Sequence, residues 1–446
     1  MNAWLQKHWE RLHSSFWFLP SLMAAAAGVL ALAAVALDRI ATDRWLQGLG
    51  WVYSGGAEGA SLVLSTIAGS MITIAGVVFS MTLVSLSLAS SQLGPRLLRN
   101  FMRDTANQVV IGTFVATFVY CLLVLRTIRR ADETAFVPHL AVTFGVLLAL
   151  VGLAVLIYFI HHVAVSIQAD EVIGRVAREL FDGIERLFPA QIGHAGDRAS
   201  PPSPITEAPP GFDGEAVDVR AAEDGYLQLI DARGLMALAV EAEIRIRLHI
   251  RPGNYIIKDQ TLATVTPAGR VDDAVSERLN GALVLGNQRT SAQDVEFAIL
   301  QLVEIAVRAL SPGINDPFTA VTCIDRLGSA LCRLARRDLP SAWREDHAGV
   351  IRVIAPKISF ADIVGTALNQ IRQHARNDVA VTLRLLEAIE VVAASARTAQ
   401  DRSVLRRHAQ MILEGAGDAF AAAHDRRDLE QRHESCLRAL RGPDAA

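Results

Sequence analysis

Four stretches of the chain, at about 17–37, 61–89, 107–125 and 139–160, contain no Asp, Glu, Lys or Arg. Each is long enough to cross the roughly 30 Å hydrocarbon core of a bilayer, which takes about 20 apolar residues. No water reaches the backbone there, so each stretch is expected to close its hydrogen bonds as a helix. The first begins too far into the chain, and is followed by too many further spans, to read as a cleaved signal peptide. Charge follows the same division. Of the 446 residues, the first 165 carry 17 charged side chains and the other 281 carry 72. An apolar third followed by a water-soluble remainder excludes a single soluble domain, a disordered chain and a protein made of membrane helices alone. The lipid bilayer is therefore the first expected partner. A net charge of −3 excludes a strongly basic nucleic-acid binder.

The segment 1–16 places Trp4, Leu5, Trp9, Leu12 and Phe16 near one helical face, a composition suited to the membrane interface. A short tail without structure is the competing reading, since short helices are weak on their own. Orientation follows from basic residues. Lys7, Arg11, Arg96, Arg99, Arg103, Arg175 and Arg178 flank one side, against Arg39, Arg44, Arg126, Arg129 and Arg130 on the other. The bias places the amino terminus inside, and four spans then bring the carboxyl terminus inside as well.

The second span is unlike the others. Ser61, Ser65, Gly69, Thr73, Gly76, Ser80 and Ser87 follow helical spacing along one stripe. Two readings compete. Small residues three or four apart let helices approach closely, with hydroxyls bonding across the contact. The same stripe, repeated around an axis, lines a water-filled pore, with Ser65, Gly69, Thr73, Gly76 and Ser80 facing the path. Just beyond it, Arg96, Arg99 and Arg103 share one face if helical. They form either a basic mouth that attracts anions or an interfacial face touching anionic lipid.

The remainder is expected to be a cytosolic α+β region. Residues 163–189 read as a helix leaving the membrane, with apolar residues on one face. Residues 190–214 are a linker rich in proline. Residues 215–268 alternate apolar and polar residues in short runs, a pattern similar to a small β-barrel sandwich of the lipoyl type, without a lysine placed to carry a lipoyl or biotinyl group. Residues 269–446 carry three-four spacing in seven stretches, including one helix expected over Val275–Gly286 and another over Ser291–Leu310. Val350–Ile354 is a candidate short strand.

Two polar segments stand out in this helical region, Gly286–Asp294 and Ala309–Ala320. Turn and cap chemistry explains most of the second: Asp316 as N-cap, Pro317 at the first helical position, Pro312-Gly313 as the turn. Ser291 is a candidate cap for the helix joining them. Arg289, Asp294, Asn315 and Asp316 form the candidate polar cluster, for ligand or subunit contact or for ion pairing. Cys121, Cys323, Cys332 and Cys436 form no CxxC pair, and the odd number in the soluble part fits a reduced compartment. No phosphate loop, HExxH, GxSxG or GxGxxG occurs. Hence no catalytic residue, metal or cofactor is expected, and an enzyme is the least favoured class.

Three segments in order, Leu88–Phe101, Gly286–Asp294 and Ala309–Pro317, together resemble the bacterial predicted membrane protein family termed domain of unknown function 2254. The resemblance spans nearly the whole chain. It implies an inner-membrane protein and carries no established activity. The expected protein is a homo-oligomeric channel or transport-like pore lined by the second span and regulated by the cytosolic region. The alternative is a membrane-anchored sensor or scaffold without a pore. The sequence specifies neither permeant species nor ligand.

Overall fold

The structure, a computed structural model, describes residues 17–40, 52–94, 105–129, 136–166, 168–188, 214–417 and 419–441. The interfacial segment 1–16, nearly all of the linker and the three arginines 96, 99 and 103 lie outside the described residues. Residues 1–171 and 172–446 form two separate compact units.

Among the described residues, the first unit contains four helices: α1 (Phe18–Ile40), α2 (Ala57–Leu93), α3 (Thr105–Leu125) and α4 (His139–Ser166). All four are long and apolar enough to cross a membrane. Charged residues fall only near helix ends, at Glu58, Asp38 and Arg39, and the uncharged aliphatic stretches between leave no other way to satisfy the backbone in lipid. Small residues set the spacing inside the bundle. Ala27, Ala31 and Ala34 of α1 pack with Ala60, Leu64 and Ala68 of α2 and with Tyr120, Cys121 and Val124 of α3. A second cluster joins Met71, Ala75 and Val78 of α2 to Val110, Ile111 and Phe114 of α3 and to Phe159 of α4.

Two glycines mark the closest approaches. A Cβ on Gly112 would stand 2.5 Å from the Met23 sulfur and 3.3 Å from the Pro20 backbone, so a side chain there would force Met23 aside and press on the α1 backbone. A Cβ on Gly145 would meet Leu64 of α2 at 2.9 Å.

Helix α1 runs three residues past the expected end at 37 and carries Asp38, which is buried. Asp38 accepts hydrogen bonds from the Leu140 and Ala141 N–H groups at the start of α4, both at 2.9 Å. The Tyr120 hydroxyl donates to the Ala141 carbonyl at 2.9 Å. This acidic side chain therefore serves the otherwise unpaired donors of a helix start.

The second unit opens with α5 (Ala169–Leu187), whose first residues still belong to the first unit. Val172, Ile173, Val176, Leu180 and Ile184 are buried at three-four spacing, with charged residues opposite. Then follow β1 (Val217–Arg220), β2 (Gly225–Ile230), α6 (Ala232–Glu241), β3 (Arg245–Leu248), β4 (Tyr255–Ile256), β5 (Thr261–Thr266), α7 (Asp273–Gly281) and β6 (Leu283–Gly286). The rest comprises α8 (Val295–Ala309), α9 (Pro317–Ala335), β7 (Trp343–Glu345), β8 (Ile351–Ile354), α10 (Phe360–His374), α11 (Val379–Ala393), α12 (Ala399–Gly417) and α13 (Ala423–Ala439).

The barrel-like sandwich expected at 215–268 does not close. Its strands belong to two open sheets, ordered β1-β5-β3-β8-β7 and β4-β2-β6. The physical reason is that distant strands occupy the edges. β8 pairs parallel to β3, with Ile246 opposite Val353, and β6 pairs antiparallel to β2. The sheets share one core, in which Val219, Leu227, Ile246, Ile256, Val265 and Leu283 pack with Leu235 and Leu238 of α6.

The helix expected at 275–286 is also corrected. α7 ends at Gly281, a poor helix former, and Leu283–Gly286 pairs as a strand with β2. Among the described residues, the region 269–446 is thus helical with three strands inserted. Asp231, Asp272, Asp294, Asp316 and Asp378 each cap the helix that follows through a side-chain bond to a backbone N–H.

Candidate functional site

Apart from Ser61, which is buried, the hydroxyl stripe of α2 lies on the face turned away from its own bundle. Ala60, Leu64, Ala68, Met71, Ala75 and Val78 make the inward face. Ser65, Gly69, Thr73, Gly76 and Ser80 are all exposed. A Cβ placed on Gly69 or Gly76 would meet nothing within 4 Å. The stripe therefore does not hold this chain's own helices together; Gly112 and Gly145 sit at those contacts. In the sequence Gly69 and Gly76 stand out by their place in the small-residue stripe, whereas Gly112 and Gly145, set among Ile111, Phe114, Phe144 and Val146, carry no such signal.

The stripe's chemistry is mild. The Ser65 hydroxyl donates to the Leu62 carbonyl at 3.0 Å and Thr73 to the Gly69 carbonyl at 2.8 Å. Each hydroxyl oxygen keeps acceptor capacity for water or for a neighbouring helix. Helix α2 has 37 residues, so at 1.5 Å per residue it is about 55 Å long, well beyond the hydrocarbon thickness. Its exposed side chains also include Val77, Phe79, Met81, Leu83 and Val84, leaving the hydroxyl stripe flanked by apolar surface.

In the second unit, the four polar candidates divide into two pairs. Asp294 is buried at the start of α8 and accepts from the Phe297 N–H at 3.2 Å. Arg289 pairs with its other carboxylate oxygen at 2.7–2.8 Å. Burial pushes the Asp294 carboxyl above its ordinary range, against the pull of the Arg289 guanidinium. Gly253 is fixed by the same pair: its φ is +91°, and a Cβ there would fall 2.3 Å from the Asp294 carboxylate.

Asn315 and Asp316 follow the far end of α8, whose 15 residues extend about 22 Å. They do not join Arg289 and Asp294 in one cluster. Asn315 adopts a φ of +50°, a conformation Asn tolerates better than most residues. Asp316 caps α9 through the Thr319 N–H at 3.1 Å, with Pro317 at the first helical turn. The candidate cap Ser291 is replaced by Asp294, because the Ser291 hydroxyl is engaged elsewhere: it donates to Glu179 of α5.

That last contact reveals a feature the sequence did not indicate. The loop before α8 grips α5. Arg186 donates to the Ser291 and Ala292 carbonyls at 3.2 and 3.3 Å. Near the end of α5, Arg333 of α9 pairs with Glu185 at 3.1 Å and stands 4.4 Å from the Phe181 ring centroid. Arg337 donates to the Phe188 carbonyl. The helix that follows α4 in the chain is thus fastened over its second half, from Glu179 to Phe188, to the body of the second unit. No periodicity announces such contacts, since their partners are over a hundred positions apart.

Four long apolar helices followed by a mixed α+β unit define a multi-pass membrane protein. The chain belongs to the predicted membrane protein family DUF2254, whose model matches residues 13–391. Among its relatives are uncharacterized proteins of Mycobacterium bovis and Mycobacterium tuberculosis. Each of these two is 33% identical over 422 residues, covering 94% of this chain and 79% of the relative. No solved structure matches the chain.

Proposed function

We propose that this protein assembles as a homo-oligomer around α2 and forms a channel or transport-like pore, controlled by a cytosolic second unit through α5. The observation that carries this reading is the outward direction of Ser65, Gly69, Thr73, Gly76 and Ser80. A small-residue face turned to lipid forfeits packing, whereas the same face in a second copy allows close helix approach or encloses a hydroxyl-lined path. The only acidic side chain buried in the bundle's described helices, Asp38, is committed to the start of α4. The path is then lined by hydroxyls and backbone rather than by carboxylates. Arg96, Arg99 and Arg103 would stand at its cytosolic mouth and favour anions.

A membrane-anchored sensor or scaffold is the second reading. It is favoured by the bonds from Ser65 and Thr73 to carbonyls of their own helix, which suit a dry contact between copies. Neither reading calls for an enzyme. The experiment is a mass measurement of the protein in nanodiscs, paired with anion and cation flux into proteoliposomes. An oligomer with flux supports the pore; an oligomer without flux supports the scaffold; a monomer without flux removes both forms of assembly.

A further inference from the structure

The second unit contains a cavity of about 340 Å³. That volume lies within the range of small-molecule sites, which combine apolar walls with a few polar groups. Leu187 and Phe188 at the end of α5 form one wall, and Leu235, Leu248 and Val353 from the shared core form another. Charged side chains complete the lining: Arg251, Asp294, Glu296, Arg344 and Lys357.

The two carboxylates are already satisfied by the protein. Asp294 takes the Arg289 guanidinium and the Phe297 N–H. Glu296 accepts from Arg251 at 2.8 Å on one oxygen and from the Thr366 hydroxyl at 2.9 Å on the other. Of the cations, Arg251 is balanced by Glu296, but the other two are not balanced in the same way. Arg344 donates to the Ser341 and Trp343 carbonyls, and neither it nor Lys357 pairs with a carboxylate among the described residues. An apolar chamber whose acids are occupied, and in which two of the three bases, Arg344 and Lys357, have no carboxylate partner among the described residues, is complementary to an anion carrying a hydrophobic body.

We infer that this cavity is a binding site for a small organic monoanion, an aryl- or alkyl-carboxylate, whose apolar part lies against Leu187, Phe188 and Leu235 and whose charge is drawn to Arg344 and Lys357. The inference rests on the second unit alone and stands whether or not α2 lines a pore. Because the end of α5 forms a wall, an occupied site holds that helix end more firmly than an empty one.

The test uses the full chain in lipid nanodiscs, with empty nanodiscs as the blank, titrated calorimetrically with 4-phenylbutyrate and, separately, with the neutral 4-phenylbutanol. The expected result is saturable binding of the carboxylate beyond the blank, weakened by added salt, with the alcohol at least tenfold weaker. Arg344→Gln, at an exposed position, should weaken carboxylate binding about tenfold, the scale of one charge-assisted contact. Ala232→Phe, also at an exposed lining position, should fill the chamber and abolish binding. The inference is overturned if wild-type protein shows no binding above the blank, or if the carboxylate and the alcohol bind alike. It also fails if neither variant changes the affinity, or if binding appears only after deletion of residues 190–212, which would give the cavity to the chain's own linker.

Discussion

The Asp38 carboxylate accepts the Ala141 N–H at 2.9 Å, joining the end of α1 to the start of α4 across more than a hundred residues of chain. Its second oxygen serves Leu140, so one side chain satisfies two of the four donors that a helix start leaves open. Asp38→Ala removes both acceptors at once. The expected cost is about 0.5–2 kcal/mol, the usual scale for a lost cap, read as a lower unfolding midpoint in detergent. Asp38→Asn keeps one acceptor oxygen and should recover part of the loss.

The glycines of the first unit separate internal packing from assembly. Gly112→Leu places a side chain into Met23 and the Pro20 backbone and should destabilise the bundle by about 1–3 kcal/mol through overpacking. Gly69→Leu and Gly76→Leu enter open space and should leave the unfolding midpoint of the single chain nearly unchanged while altering the oligomer mass. If the two classes of variant exchange these effects, the stripe faces inward and the assignment of α2's faces is wrong.

Removing Arg289 leaves a buried carboxylate without its cation. Arg289→Gln should cost about 3–5 kcal/mol, the range for breaking a buried pair, and the double variant Arg289→Gln with Asp294→Asn should restore part of it. Asp316→Ala loses an N-cap and should cost about 0.5–2 kcal/mol. Thermal unfolding of these three variants beside the wild type checks both. If Arg289→Gln and Asp316→Ala change assembly without a loss of stability, their main role is contact rather than capping.

His408 gives the second unit a pH dependence. Burial, then the nearby Arg372 and Arg407, push its pKa down to about 4. Between pH 6.5 and about 4 the unfolded chain binds a proton there that the folded chain refuses. Stability is therefore lost as pH falls through this window, by an amount on the order of 3 kcal/mol. His408→Gln should flatten the unfolding midpoint between pH 7 and pH 4.5 relative to the wild type; an unchanged slope would assign the acid sensitivity to other groups.

The spans were legible because lipid imposes a strict rule, an uninterrupted run without charge, that local sequence reveals directly. Several caps were legible for a similar reason: Asp316-Pro317 carries its signal within two residues. The sheets were not legible, because β3 is completed by β8, about a hundred residues away, and no local pattern states which edge a strand will find. The stripe of α2 was visible, but its direction was not. Ala60, Leu64, Ala68 and Ala75 form an equally small face, and the bundle's contacts, rather than the residues themselves, decide which face turns inward. The competition between Ser291 and Asp294 for the start of α8 was settled by Glu179, a residue on a different helix.

Water access along α2 tests the central claim most directly. Thr73→Cys and Ser80→Cys are made singly in a chain whose four native cysteines are replaced, with Val78→Cys as the buried control, and each protein in liposomes is treated with a membrane-impermeant thiol reagent. A thiol facing lipid or a dry contact stays protonated and unreactive, whereas one facing water ionises and reacts. The account predicts labelling at 73 and 80, with loss of ion flux on labelling, and none at 78. Unreactive cysteines at both stripe positions, in protein that is correctly inserted, would contradict the pore.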